Sequence, residues 1–487
     1  MSKSILDLEP KEVWSNFYSL TQIPRPSKHE DKIQEFMVNF GQSLGLETIK
    51  DETGNVIIKK PATPGMENRM GIVLQGHLDM VPQKNSDKAH DFTIDPITTI
   101  VDGEWVKADS TTLGADNGIG VASAMAVLAS TDLVHGPIEA LFTCDEETGM
   151  TGANLLKAGL LAGDILLNLD SEDEGELYIG CAGGIDSTGV FTVSFDAVPA
   201  GSSAFRLTVK GLKGGHSGLD INLGRGNANI ILNALSKMAA EKFGLRISAV
   251  NGGNLRNAIP REAFASVVVP SENEVNFTKF VEEFTVIVKE EFAVADGNLQ
   301  IVCEKTEVPA QVIDLNTQTG LFEAVSKCPN GVIAMTADMP DVVETSSNLA
   351  IVRLENDQIM IACLQRSSVD DSKSLLAKQI CDVFTKAGAS ASTSGEYPGW
   401  KPNINSPILK TMKEVYNNKF GKIPEVKVIH AGLECGILAG AYPHWDMISF
   451  GPTIRHPHSP DEKVKIETVG LFWDYLVETL KETPVKE

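Results

Sequence analysis

The sequence predicts an α/β domain with a mixed, largely parallel sheet, interrupted by an inserted α+β domain. Three observations point there. Strand and helix patterns alternate as far as DILLNLD. At CAGGID, Cys181 to Asp186, the texture changes to alternating strands interleaved with helices. At GEYPGWKPN, glycines and prolines mark a return to the first pattern. The 487 residues exceed what one core usually organises, so two domains are expected. The pattern places the insert at residues 186–394 and leaves 1–185 and 395–487 for the discontinuous parent domain.

In chain order, residues 10 to 46 read as helices. EDKIQEFMVNFGQSLG carries Ile33, Phe36, Met37, Phe40 and Leu44 at helical spacing. NVIIKK and RMGIVLQG read as strands around the turn-rich PATPGMEN. ADNGIGVASAMAVLAS starts polar and glycine-containing and continues as a small-residue helix. PIEALFTC is a strand running into the acidic corner DEETG, and DILLNLD is a strand ending in an acid. Apolar runs alternating with helices indicate a buried, largely parallel sheet. In the insert, FTVSF, FRLTVKG, RISAVNGG and AFASVVVP read as strands, with NANIILNALSKMAAEKF as a helix between them. LAIVRLENDQIMIACLQRSS reads as a hairpin turning at END, followed by the helix SLLAKQICDVFTKAG. This pattern implies helices on one face of an antiparallel sheet. After the return, NSPILKTMKEVYNNKF is a helix, HWDMISFGP a strand and GLFWDYLVETLKE the closing helix.

Lys and Arg total 42 against 65 Asp and Glu, a formal charge of −23. Such a surface repels phosphate backbones and anionic lipid, so neither nucleic acid nor membrane is expected as a partner. The acidity serves solubility or a field that draws in cations. No apolar run is long enough to span a bilayer. MSKSILDLEPKEVW has no apolar h-region and places acids early, so no secretory signal is expected. The seven cysteines stand singly, without a CxxC. That argues against a disulfide framework and a thiolate zinc site, and it fits a reducing cytoplasm.

Chemistry-bearing residues gather where strands end. In QGHLDMVP an apolar strand delivers His77 and Asp79, two apart and so on one face. Ends of parallel strands are where α/β sheets place ligands. TLGADNGIG puts Asp116 in a glycine-rich loop before a helix. FTCDEETG puts Glu146 and Glu147 after a strand, LLNLDSEDEG does the same for Asp170, and RHPHSPDE puts His458 in a loop after the last strand. Taken singly, each has an ordinary reading: His77 as a satisfied structural histidine, Asp116 as a helix cap, the Glu146 run as a solvated turn. Together they supply two imidazoles and several carboxylates. Nitrogen and oxygen ligands without thiolate suit zinc, manganese or cobalt. Converging acids repel one another, and two divalent ions resolve that repulsion.

The motifs QGHLDMVP, GADNGIG, DEETG, LNLDSE, GGHSG, YPGWKP, HAGLECG and HSPDE occur in that order over nearly the whole chain. On them the chain resembles the dinuclear zinc metallopeptidases, a family that includes carnosine dipeptidases, tripeptide aminopeptidases and aminoacylases. The resemblance implies a zinc-peptidase-like catalytic domain, and a lid and dimerisation role for the insert. It implies two Zn2+ per subunit, with Co2+ or Mn2+ as substitutes, and a cytoplasmic homodimer. The implied substrate is a dipeptide, preferably Xaa-His.

Residue by residue, the resemblance makes Asp116 the bridge between the ions. His77 and Asp170 complete one site, and Glu147 and His458 the other. Asp79 orients His77, Glu146 is the general base, and the Asp116–Asn117 peptide is cis. His216 of KGGHSG stabilises the oxyanion of an active site, that of the partner subunit; by itself it reads equally as an exposed loop histidine. Asn257 and Arg366 take the substrate carboxylate, although Arg366 alone reads as a surface arginine. His430, Gly432 and Glu434 of HAGLECG line the same cleft. Two alternatives stand beside the dipeptidase: an aminotripeptidase or N-acyl amino acid amidohydrolase of the same fold, and a metal-containing binding protein without catalysis.

Overall fold

The computed structural model describes residues 4–486. They group into two compact units. The first holds the chain up to Gly180, Pro402–Val428 and the segment from Leu433 onward; the second holds Cys181–Lys401 and Ile429–Gly432. The span 186–394 read from the sequence lies a few residues inside the second unit at both ends. The strand Ser390–Tyr397 crosses its far limit. It is a sheet edge, largely exposed, and its polar SASTSGEY has no apolar alternation to mark it.

In the first unit an eight-stranded sheet runs in the order Glu47–Lys50, Val56–Lys60, Ile138–Thr143, Ile72–His77, Ile165–Asn168, Asp446–Ser449, Glu176–Cys181, Glu425–Ile429. The strands from Ile138–Thr143 to Asp446–Ser449 are parallel neighbours. Antiparallel strands flank them. Ile72–His77, Ile138–Thr143 and Ile165–Asn168 are buried along their whole length, which explains their unbroken apolar runs. Parallel strands end at a common edge. His77 is the last residue of its strand, Asp170 follows its strand by two residues, and Glu146 begins a short helix just beyond Thr143.

The sequence reading missed a small four-stranded sheet, in the order Ile454–Arg455, Lys463–Lys465, Trp105–Ala108, Thr99–Asp102. These strands are short, and Thr99–Asp102 alternates half-buried and exposed without a buried residue. Ile454–Arg455 and Lys463–Lys465 pair antiparallel, so the segment carrying His458 is a hairpin loop.

The second unit is an antiparallel sheet with helices Ala228–Phe243, Glu274–Glu291, Leu315–Lys327 and Asp370–Lys386. Sheet and helices share one core, in which Leu235, Phe277, Leu321 and Phe384 join Leu207, Val267 and Ile361. The hairpin Val343–Glu355 to Gln358–Ser367 turns at Asn356 and Asp357, both at positive φ, as END predicts.

Candidate metal centre

The first unit brings five of the candidate side chains together. His77 Nε2 lies 3.1 Å from Asp116 Oδ1 and 3.4 Å from Asp170 Oδ1. His458 Nε2 lies 3.3 Å from Asp116 Oδ2 and 2.9 Å from Glu147 Oε2. These make two triads, His77–Asp116–Asp170 and Asp116–Glu147–His458, each with its donor atoms within 4.8 Å of one another. Asp116 belongs to both and offers one oxygen to each imidazole. The Asp116–Asn117 peptide is cis.

Asp79 stands behind this pair of triads. It is fully buried, and its Oδ1 lies 3.3 Å from His77 Nδ1. The same carboxylate accepts the amides of Glu146 (3.0 Å) and Glu147 (3.2 Å) and the Ser27 hydroxyl (2.8 Å). One acid therefore orients His77 and fixes the main chain that carries Glu146 and Glu147. Burial opposes its ionisation. The His77 bond and charge outweigh that, with the bonds from Ser27 and Glu146 adding to them, and hold the carboxyl at about 2.

The electrostatics call for positive charge. Burial pushes Asp170 up to about 7, helped by the charges of Asp116 and Glu147. Burial also raises Glu146 well above the carboxylate range. His458 is pushed up to about 11 by its bonds to Asp116 and Glu147. His77 is raised too: burial works against its charge, and Asp170, Asp116 and Asp79 overcome it. Without cations, imidazolium protons do the neutralising. Glu147 Oε1 and Asp170 Oδ1 are buried without a hydrogen bond. Unpartnered anionic oxygens beside imidazole nitrogens fit divalent cations of the zinc, cobalt or manganese type, which take such mixed donors.

Two further residues of this unit carry signals the sequence reading did not use, and Glu434 of HAGLECG lies in this unit as well. Arg25, in the unremarkable PRPS, is buried and donates to the carbonyls of Leu78, Asp79 and Gly114. Glu462, the last residue of HSPDE, is buried and accepts main-chain amides of the Asp116 loop. Glu434 is buried, accepting from Gln75 Nε2 (2.6 Å) and Thr143 Oγ1 (2.8 Å), and burial pushes it up to about 7.

The second unit gathers His216, Arg366 and His430. Arg366, far from being a surface arginine, is 4% exposed. Its Nε donates to Ser217 Oγ (3.2 Å) and its Nη1 to the Tyr397 hydroxyl (2.9 Å), while Nη2 is 3.5 Å from His216 Nε2. His216 Nδ1 accepts the amides of Gly218 and Leu219. His430 Nε2 is 2.7 Å from Ser346 Oγ. Burial, then the charge of Arg366, push His430 down to about 3, so its ring is neutral. A Cβ on Gly218 would sit 1.7 Å from the His430 carbonyl oxygen, so only glycine lets these segments meet. Asn257 enters through its main-chain carbonyl, which accepts from Ser217 N (2.8 Å). Gly432 ends the short stretch Ile429–Gly432, where Ala182 N donates to Ile429 and Ala431. Ser217, Ser346 and Tyr397 went unread because isolated hydroxyls carry no spacing signal.

The sequence model of peptidase family M20/M25/M40 matches residues 73–482. The cytosol non-specific dipeptidase of Escherichia coli (strain K12) is 47% identical over 479 residues, covering 98% of this chain and 99% of the relative. The crystal structure of aminoacylhistidine dipeptidase from Vibrio alginolyticus superposes with a TM-score of 0.95 at 49% identity, covering 100% of this chain and 99% of that one. A tripeptidase from Staphylococcus aureus, 17% identical, shares the fold with a TM-score of 0.56 over 97% of this chain and 98% of its own.

Proposed function

The chain belongs to peptidase family M20/M25/M40, and from that premise we propose that it is a metallodipeptidase acting on dipeptides, Xaa-His among them, at a pair of zinc ions. The observation that carries the two-ion reading is the sharing of Asp116: its Oδ1 is 3.1 Å from His77 Nε2 and its Oδ2 3.3 Å from His458 Nε2. His77 and Asp170 would hold one ion and Glu147 and His458 the other, with Asp116 common to both. Zinc is the first choice for such ligands; cobalt and manganese fit the same donors.

When bound, paired divalent ions supply an acidified water and an electrophile for the scissile carbonyl. The chain's own residues do the rest. Asp79 keeps a proton on His77 Nδ1, which leaves the Nε2 lone pair free for a ligand bond. Glu146 takes the proton of the attacking water and delivers it to the leaving amine. Its amide is bonded to Asp79, so the base is set by the same carboxylate that sets the ligand. In the second unit, Arg366 donates to the neutral hydroxyls of Ser217 and Tyr397 and makes no ion pair among the described residues. That suits the terminal carboxylate of a dipeptide. Asn257, His430 and Gly432 would complete that subsite, and His216 would donate to the developing oxyanion.

The same reading divides the chain into a catalytic domain and an inserted lid and dimerisation domain, with the protein a cytosolic homodimer. Its support is the resemblance of the motifs and the cytosolic description of the Escherichia coli relative. Among the described residues no helix is long and apolar enough to cross a membrane. Rates on Ala-His, a tripeptide and an N-acetyl amino acid, measured side by side, test the function. The dipeptide is expected to be hydrolysed fastest; preferred cleavage of either other substrate contradicts the reading.

A further inference from the structure

Glu462 and Arg25 are buried and ionisable, and neither belongs to a triad. Glu462 is 2% exposed, and four successive amides converge on it. Its Oε2 accepts from Leu113 (2.7 Å) and Gly114 (2.9 Å), and its Oε1 from Ala115 (2.7 Å) and Asp116 (3.2 Å). Consecutive amides closing on an anion form a nest, here in the turn leading into helix Ala115–Ala129, whose backbone is non-helical at Asp116 and Asn117. Arg25 grips the other side. Its Nη2 donates to the Gly114 carbonyl, and its Nη1 to those of Leu78 and Asp79 (2.9 Å each). Gly114 is thus held by both its amide and its carbonyl. It sits at φ 71°, and a Cβ there would lie 2.6 Å from Arg25 Nη2, so no side chain fits.

We propose that Glu462 is a positioning residue that sets Asp116 between the two cation sites, with Arg25 bracing the same loop from the opposite side; this rests on the two-ion reading above. Glu462 shares the hairpin loop of His458, so one side chain ties the His458 loop to the Asp116 loop. Arg25 ties the Asp116 loop to the His77–Asp79 segment. Three ligand-bearing segments are locked by two residues that are not ligands. The four amides need two acceptor oxygens, which a carboxylate supplies and a carboxamide does not. A carboxylate adds an anion to a centre already crowded with acids, which is unfavourable until cations arrive. Both its geometry and its charge therefore favour cation binding, and both sites feel it because Asp116 serves both.

The test uses full-length wild type, Glu462→Gln and Glu462→Asp. Each is stripped with a chelator, checked for fold by circular dichroism, and titrated with Co2+ by its visible absorption and with Zn2+ against a competing chelator. Wild type is expected to bind two ions per chain. Glu462→Gln should weaken both binding steps by at least about tenfold, as outer partners of metal ligands do, and shift the Co2+ spectrum. Glu462→Asp should recover part of the affinity. A folded Glu462→Gln that takes up two ions with wild-type affinity and spectrum overturns the proposal, even if its melting temperature falls. If Glu462→Gln does not fold, Glu462→Asp decides: its shorter side chain cannot reach all four amides, and wild-type affinity in it overturns the proposal. A wild type that binds fewer than two ions defeats the two-ion reading itself, a separate result.

Discussion

Asp79 Oδ1 lies 3.3 Å from His77 Nδ1 and also accepts the amide of Glu146 at 3.0 Å. Asp79→Asn preserves the shape and removes the charge. We expect it to lower both the affinity of the His77 site and kcat, with metal affinity down by about 10- to 100-fold. Competitive metal titration and steady-state kinetics measure the two effects. Wild-type values for both would mean that Asp79 only packs.

Glu146 belongs to neither triad, so its loss should leave the cations in place. Glu146→Gln is expected to bind two ions per chain while kcat on Ala-His drops by at least about 10²-fold. Unchanged turnover would exclude it as the base and revive the non-catalytic alternative.

The two imidazoles belong to different triads. His458→Ala should therefore hold one ion per chain and keep the His77 site, and His77→Ala the converse. Metal analysis after gel filtration reads the stoichiometry. Two tightly held ions in either variant would show that the triads are not the sites.

The pKa shifts fix the sign of the pH dependence. In the cation-free protein His458 is raised to about 11, far above the ordinary histidine value of about 6.5. Its stabilisation is complete below about pH 6.5 and is lost as pH rises toward 11. Asp170, raised to about 7 by burial and neighbouring acids, destabilises the fold as pH climbs from about 4 to 7, the same direction. Asp79, depressed to about 2, loses its stabilisation only below about pH 4. Chelated protein should thus melt at progressively lower temperature from pH 5 to 9. Loading cations at pH 7 should release protons, visible in calorimetry as an enthalpy that changes with the buffer's ionisation heat. A flat melting profile together with buffer-independent heat would refute this.

Bound cations also stabilise by mass action. At a free concentration a thousand times Kd, one ion adds about 4 kcal/mol. Chelation should therefore lower the melting temperature, and adding zinc back should restore it. Differential scanning calorimetry checks both steps.

Much of the candidate site could be read because His77 and Asp170 sit at or just beyond the ends of strands whose apolar runs are unbroken. Ile72–His77 and Ile165–Asn168 are buried throughout, so an abrupt His77 or Asp170 stands out. Asp116 and His458 stand out only in company with the other candidates, and the ordered motifs give each its place in a ligand set. Arg25 and Glu462 escaped notice because they act on main-chain atoms, which leave no side-chain pattern to match. Arg366 taken alone reads as a surface arginine, and only the resemblance gives it a substrate role, because a lone arginine after an apolar strand gives no hint of its hydroxyl partners, Ser217 and Tyr397, which come from distant segments. The strand Ser390–Tyr397 was invisible because a sheet edge facing solvent needs no apolar alternation.

Hydrolysis is expected to depend on two cation sites joined by Asp116. Metal content per chain, measured together with Ala-His turnover before chelation, after chelation and after zinc is restored, tests it most directly. Two ions per chain are expected, with loss of turnover when they are removed and recovery when both return. Full turnover by protein that retains no ion would contradict it.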